Sequence, residues 1–160
     1  MAVNAYLIVD GIEGPSTSRA KAIDILSFSF GVSQTSVYGA GASGKEAKAG
    51  RADFSNLTYM QVLDKTYPLM FDHCASGDII KKVELFYDKP VKDKQEDYFK
   101  IELTDVLITS VQISGSNENP VVSISLAFQK VAVAYAAEKD DGTLEAFLPK
   151  GYDLATLKPF

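Results

Sequence analysis

Apolar residues recur at every second position over most of this chain, and that period admits little besides β-structure. Between Ile23 and Tyr38, Leu26, Phe28, Phe30 and Val32 are apolar, while Ser27, Ser29, Gly31 and Ser33 between them are small or polar. Such a strand has one face for a core and a second face for water or for a flat contact. Ile23 and Ile25 fall on the opposite parity, which places a bulge near Leu26. From Tyr98 to Ser114 the apolar face is Phe99, Ile101, Leu103, Leu107, Val111 and Ile113. From Val121 to Tyr135 it is Val122, Ile124, Leu126 and Phe128, followed by a shift of parity to Val131, Val133 and Tyr135. Gly115 to Pro120 reads as the hairpin loop between these two strands. Arg51 to Val62 and Ile79 to Asp88 read as further strands, and a last element is expected at Gly151 to Leu157.

One helix interrupts the strands. Pro68 suits a first helical turn, Thr66 is placed to cap it, and Gly77 is placed to end it in a left-handed turn. Leu69, Met70, His73 and Cys74 share one face at helical spacing, so that side is expected to pack on the sheet. There are no internal repeats, no linker and no alternation of strand and helix. The expectation is therefore an all-β barrel or sandwich with one short flanking α-helix, in a single domain over residues 1–160.

Most chemistry is excluded by the residue inventory. Cys74 is the only cysteine and His73 the only histidine, which removes intrachain disulfides, cysteine-rich zinc sites and histidine-pair metal sites. Adjacent helix positions point about 100° apart, so His73 and Cys74 make a poor nucleophile–base pair. Asp64 with Glu84, or Glu102 with Asp105, are the only acid pairs worth naming, and nothing in their spacing brings them together. Gly39 to Lys45 nearly spells a phosphate-binding loop, but Glu46 stands where a magnesium-binding hydroxyl belongs, and no long helix follows. A net charge of -5, with Lys81, Lys82 and Lys89 to Lys94 diluted by acids, argues against a nucleic-acid partner. No apolar run is long enough to insert in a membrane, and the first residues lack the marks of a cleaved signal peptide. The chain is expected to fold in the cytoplasm, without cofactor, metal or catalytic residue.

Two segments carry a family likeness, and others follow in order. Ala5-Tyr6-Leu7-Ile8-Val9-Asp10-Gly11-Ile12-Glu13-Gly14 resembles the opening strand and turn of the Hcp proteins, which build the inner tube of the type VI secretion system. Ile25-Leu26-Ser27-Phe28-Ser29-Phe30-Gly31-Val32-Ser33-Gln34 is similar to that family's aromatic–Ser–aromatic–Gly strand. Phe54 to Thr58, Asp64 to Gly77, Leu103 to Val111 and Val122 to Phe128 continue the resemblance. Tyr67 and the pair Asp78-Ile79 depart from the family pattern.

The resemblance implies homohexameric rings that stack into a hollow tube inside a contractile sheath. A VgrG-type spike caps the tube, small effector proteins ride in its channel, and the tube is secreted without a cleaved signal peptide. On that reading Ser27, Ser29 and Ser33 face the channel. The loop with Gly39, Gly41, Gly44, Lys45, Glu46, Lys48 and Arg51 is the expected ring-on-ring contact. A tail-tube subunit of a contractile phage or phage-like particle is the alternative. Without the resemblance, the serine face reads equally well as the wet face of a monomer.

Overall fold

The computed structural model describes residues 4–37 and 48–160. In chain order the strands are β1 (Asn4–Val9), β2 (Ile23–Asp24), β3 (Ser27–Ser29), β4 (Val32–Val37), β5 (Lys48–Phe54) and β6 (Leu57–Val62). The helix α1 (Tyr67–Ser76) follows, then β7 (Ile79–Val91), β8 (Lys94–Ser114), β9 (Val121–Tyr135), β10 (Leu148–Asp153) and β11 (Lys158–Pro159).

All pairings are antiparallel, and the chain connection from β2 to β3 completes the circuit. β9 pairs with β8, β8 with β7, β7 with β1, and β1 with β2. The chain then runs from β2 into β3, which pairs with β6, and β6 returns to β9. β9 is shared along its length: its first part pairs with β6, its second with β10. The enclosed core includes Leu7, Ile23, Leu57, Tyr59, Leu85, Ile101, Leu103, Ile124 and Leu126. The all-β barrel with one short helix expected from the alternation is the observed architecture.

The strands are more broken than the alternation alone indicates. Ile23 to Tyr38 is not one strand but begins as β2, resumes as β3 and changes partner at Gly31. Arg51 to Val62 breaks opposite it, at Ser55 and Asn56. Ser55 joins the two breaks: its hydroxyl accepts from the Gly31 N–H at 2.9 Å and donates to the Gly31 carbonyl at 3.0 Å. Beyond this staple, β4 and β5 leave the barrel as a separate two-stranded ribbon. Leu26 and Val32, expected on the core face, are each 59% exposed because they sit at the breaks rather than within a barrel strand. Ile25, by contrast, is buried, so the change of parity near Leu26 is real.

β8 also changes face. Ile101 and Leu103 are buried as expected, but further on it is Val106 and Ile108 that fill the core, while Leu107 is only half-buried and Ile113 is 44% exposed. Asp105 lies between the two sets with φ 53°, a left-handed conformation that Asp tolerates better than most side chains. The neighbouring strands switch in the same row. Val83 gives way to Ile80 on β7, and Val131 to Phe128 on β9. The parity shift seen in the β9 sequence thus belongs to three strands together.

The helix begins and ends where expected, with Gly77 at φ 75° returning its N–H to the His73 carbonyl. Its packed side is different: Tyr67, Met70 and Cys74 meet the core, while Leu69 is 45% exposed. Thr66 is the N-cap residue but does not cap with its side chain. Its hydroxyl instead donates to the Asp64 carboxylate and accepts from Gln61 Nε2 at 3.0 Å.

Candidate functional site: the assembly surfaces

Two of the serines expected to face a channel lie on a four-stranded patch of the barrel wall. Within it, Ser29, Thr58, Ser125 and Ser110 form one row across β3, β6, β9 and β8. Ser27, Met60, Ser123 and Gln112 form a second row on the same strands. The row between them is Phe28, Tyr59, Ile124 and Val111, and it points the other way, into the core. Side chains alternate across a strand, so the two flanking rows share the outer face. That face is mostly small and polar, with Met60, 39% exposed, as the apolar member of the two rows. Thr58 Oγ1 and Ser125 Oγ lie 3.1 Å apart, Thr109 Oγ1 donates to the Ser125 carbonyl at 3.2 Å, and Asn56 Nδ2 donates to Thr109 Oγ1 at 3.2 Å.

Of the three serines singled out in the sequence, Ser27 and Ser29 lie on this face and are exposed. Ser33 is exposed too, but it stands on the β4–β5 ribbon opposite Asp53, apart from the patch. Thr58, Ser110, Gln112, Ser123 and Ser125 complete the wall and were not assigned from sequence. Their alternation was visible, but which strand lies beside which was not.

The patch has two unpaired edges. β3 pairs only with β6 among the described residues. At the far side, β7 begins opposite Leu107, so among the described residues β8 from Ile108 to Ser114 is paired with β9 alone. Exposed backbone donors and acceptors on both sides of one sheet are a template for pairing with another chain.

The residues proposed for ring stacking are only partly placed. Lys48 and Arg51 lie on β5, and Arg51 is exposed. Gly39, Gly41, Gly44, Lys45 and Glu46 lie outside the described residues, as does the loop that resembles a phosphate-binding motif.

Among the described residues, the side chains weighed in the sequence for catalysis are placed as follows. His73 Nδ1 is 2.9 Å from the Leu69 carbonyl, committed to its own helix, and Cys74 turns to the core. Glu84 does meet another carboxylate, but its partner is Glu102, across the ladder, and Lys82 and Lys100 bridge the two. No cluster of metal-binding side chains occurs among the described residues. A cavity of about 370 Å³ at the ribbon's base, lined by Arg51, Asp53, Phe54, Tyr152, Leu154 and Leu157, holds one carboxylate and one guanidinium but no nucleophile.

Comparison with known proteins gives the family. Residues 6–135 match the family model described as type VI secretion system effector, Hcp. The chain belongs to the Hcp family. The protein Hcp1 of Pseudomonas aeruginosa is 30% identical over 146 residues, covering 89% of this chain and 88% of that protein. The crystal structure of Hcp1 from Salmonella typhimurium superposes with a TM-score of 0.80 at 27% identity, covering all of both chains. A further structure, of a type six secretion system protein, reaches a TM-score of 0.88 at 22% identity, over 99% of this chain and 100% of that one. As a member of the Hcp family this chain is a structural tube protein of type VI secretion.

Proposed function

We propose that this Hcp protein closes into six-membered rings in which the serine-rich face lines the channel, and that the stacked rings carry small effector proteins. The observation that carries this reading is the four-stranded patch with small polar residues on its outer face and an unpaired strand on each side. Edge pairing between copies satisfies both open edges at once and makes one continuous sheet. Six copies contribute about 24 strands, which at ~4.8 Å spacing give a circumference of about 115 Å and a diameter of about 37 Å at the backbone. With side chains as short as Ser27, Ser29, Ser123 and Ser125, most of that width stays open. It then admits a folded protein of up to roughly 70 residues.

The same wall protects cargo without gripping it. Hydroxyls keep the channel wet, and with Met60 as the apolar member of its two rows the wall offers no large apolar patch to trap a passing chain. A contractile sheath around the rings and a VgrG-type spike at the tube's end complete the machine on this reading. The protein then leaves the cell as part of the tube.

Negative-stain electron microscopy together with light scattering of the purified protein tests the assembly. Rings and short stacks with an open centre are expected. A protein that stays strictly monomeric at about 1 mM overturns the reading.

A further inference from the structure

The helix α1 is apolar on more than one side, an unusual property for a surface helix. Met70 faces the core, yet Leu69 is 45% exposed and Phe71 57% exposed. Leu63 before the helix and Ile79 after it are 39% and 59% exposed, so apolar surface extends past both ends. The helix runs from the end of β6 to the start of β7 and packs on β8. It therefore stands beside the stretch of β8, Ile108 to Ser114, that lacks a second partner strand.

On the opposite side of the patch is a matching depression. Just past β3, an open groove of about 190 Å³ is lined by Phe30, Val32, Phe54, Val131, Val133 and Tyr152, and by Lys150. Its volume is on the scale of one aromatic side chain. Neither Lys150 nor Asp72, the exposed neighbour of Phe71, takes part in an ion pair among the described residues. The knob thus stands by the unpaired stretch of β8 and the groove where the chain leaves β3, each with a charge of opposite sign that forms no ion pair among the described residues.

The geometry points to a second copy of this chain as the groove's occupant: Phe71 of one protomer seats among Phe30, Val32 and Phe54 of the next, with Asp72 beside Lys150. This contact rests on the ring reading and gives it an anchor. Edge hydrogen bonds fix register but are individually weak, whereas a buried aromatic residue supplies the apolar area a stable interface needs. A head-to-tail ring uses two different faces of each copy, as this pairing does.

Two experiments test it. In a Cys74→Ser background, Phe71→Cys with Val32→Cys is expected to give a disulfide-linked ladder up to the ring size on oxidation, collapsing with reductant. Each single cysteine variant is expected to stay uncrosslinked. Separately, Asp72→Lys and Lys150→Asp should each raise the concentration at which rings dissociate by about tenfold. The double exchange should return it to within about threefold of the parent protein. Rings visible by microscopy with no ladder, or a double exchange as weak as the two singles combined, overturn the contact while leaving ring assembly standing. A parent protein that never forms rings removes both.

Discussion

Glu84 and Glu102 sit directly opposite each other across β7 and β8, and the ammonium of Lys100 lies 3.1 Å from the first and 3.4 Å from the second. Like charges in that position destabilise a sheet unless a cation stands between them. Burial alone lowers the pKa of Lys100, but its hydrogen bond and attraction to Glu84, then to Glu102, outweigh that and hold it above the ordinary 10.5. A group whose pKa is raised by folding contributes stability in full below its unfolded value and loses it as pH rises through the folded one. Lys100→Met is therefore expected to cost about 1 kcal/mol. The gap to the parent protein should stay level from neutral pH to about 10 and close above it. Urea unfolding from neutral to strongly alkaline pH at fixed protein concentration measures this; a gap that stays level well above pH ~11 contradicts the assignment.

Arg19 fastens the long connection between β1 and β2 onto the barrel. Its guanidinium lies 4.9 Å from the Tyr6 ring centre and 4.7 Å from that of Phe86. It also pairs with Asp97 and, at 3.8 Å, with Asp88, which is only 5% exposed. Arg19→Ala leaves a buried carboxylate with Gln95 Nε2 as its remaining neutral donor. The expected loss is about 3 kcal/mol. Arg19→Lys should recover less than half of it, because lysine has no planar fork to sit between two rings. Hydrogen exchange should show residues 11–22 losing protection first; uniform loss across the barrel would contradict a local fastening.

Two glycines make a matched contrast. A Cβ on Gly14 would lie 2.1 Å from the Ala22 carbonyl oxygen, which is held by the Ser16 N–H at 3.0 Å and cannot retreat. A Cβ on Gly151 would meet the Phe160 ring at 2.5 Å, but that ring belongs to a side chain that is 65% exposed and can turn into solvent. Gly14→Ala is expected to cost about 3 kcal/mol and Gly151→Ala less than about 1 kcal/mol, with Phe160 displaced. Thermal melts of the two variants side by side decide whether backbone rigidity or simple lack of space governs the penalty.

Much of this was legible in the chain because a half-buried strand writes its two faces into alternate residues. Phe28 inward and Ser27 and Ser29 outward follow from period alone. What period cannot carry is lateral neighbourhood, so the joining of Ser29, Thr58, Ser125 and Ser110 into one wall appears only with the pairings. Nor does it carry a backbone inversion: Asp105 is an ordinary strand residue in sequence, and its left-handed φ is what moves burial from Leu107 to Val106. The helix misled for another reason. With Leu69, Met70, Phe71 and Cys74 spread around it, no single face stands out, and the one that packs is chosen by where β6 and β7 hold its ends.

Ser29→Gln places a long amide in the wall where a hydroxymethyl now stands. Ser29 is exposed and its side chain makes no core contact, so stability should change by less than about 0.5 kcal/mol and rings should persist. Retention of effectors in the channel should fall several-fold, read as their level in secreted fractions. Unchanged cargo with intact rings would move the channel to another face.

The patch that carries the serines has four strands, an even number, and this has a consequence for how copies meet. Its first strand, β3, and its last, β8, necessarily run in opposite directions. Copies related by rotation about an axis along the strands keep those directions. Each joint between neighbours is then antiparallel like every joint within a copy. A patch of three or five strands would force one parallel seam per subunit, with slanted and slightly weaker bonds. The even count lets a closed wall be built without a seam, so the boundary between subunits need be no weaker in its ladder than the subunit itself.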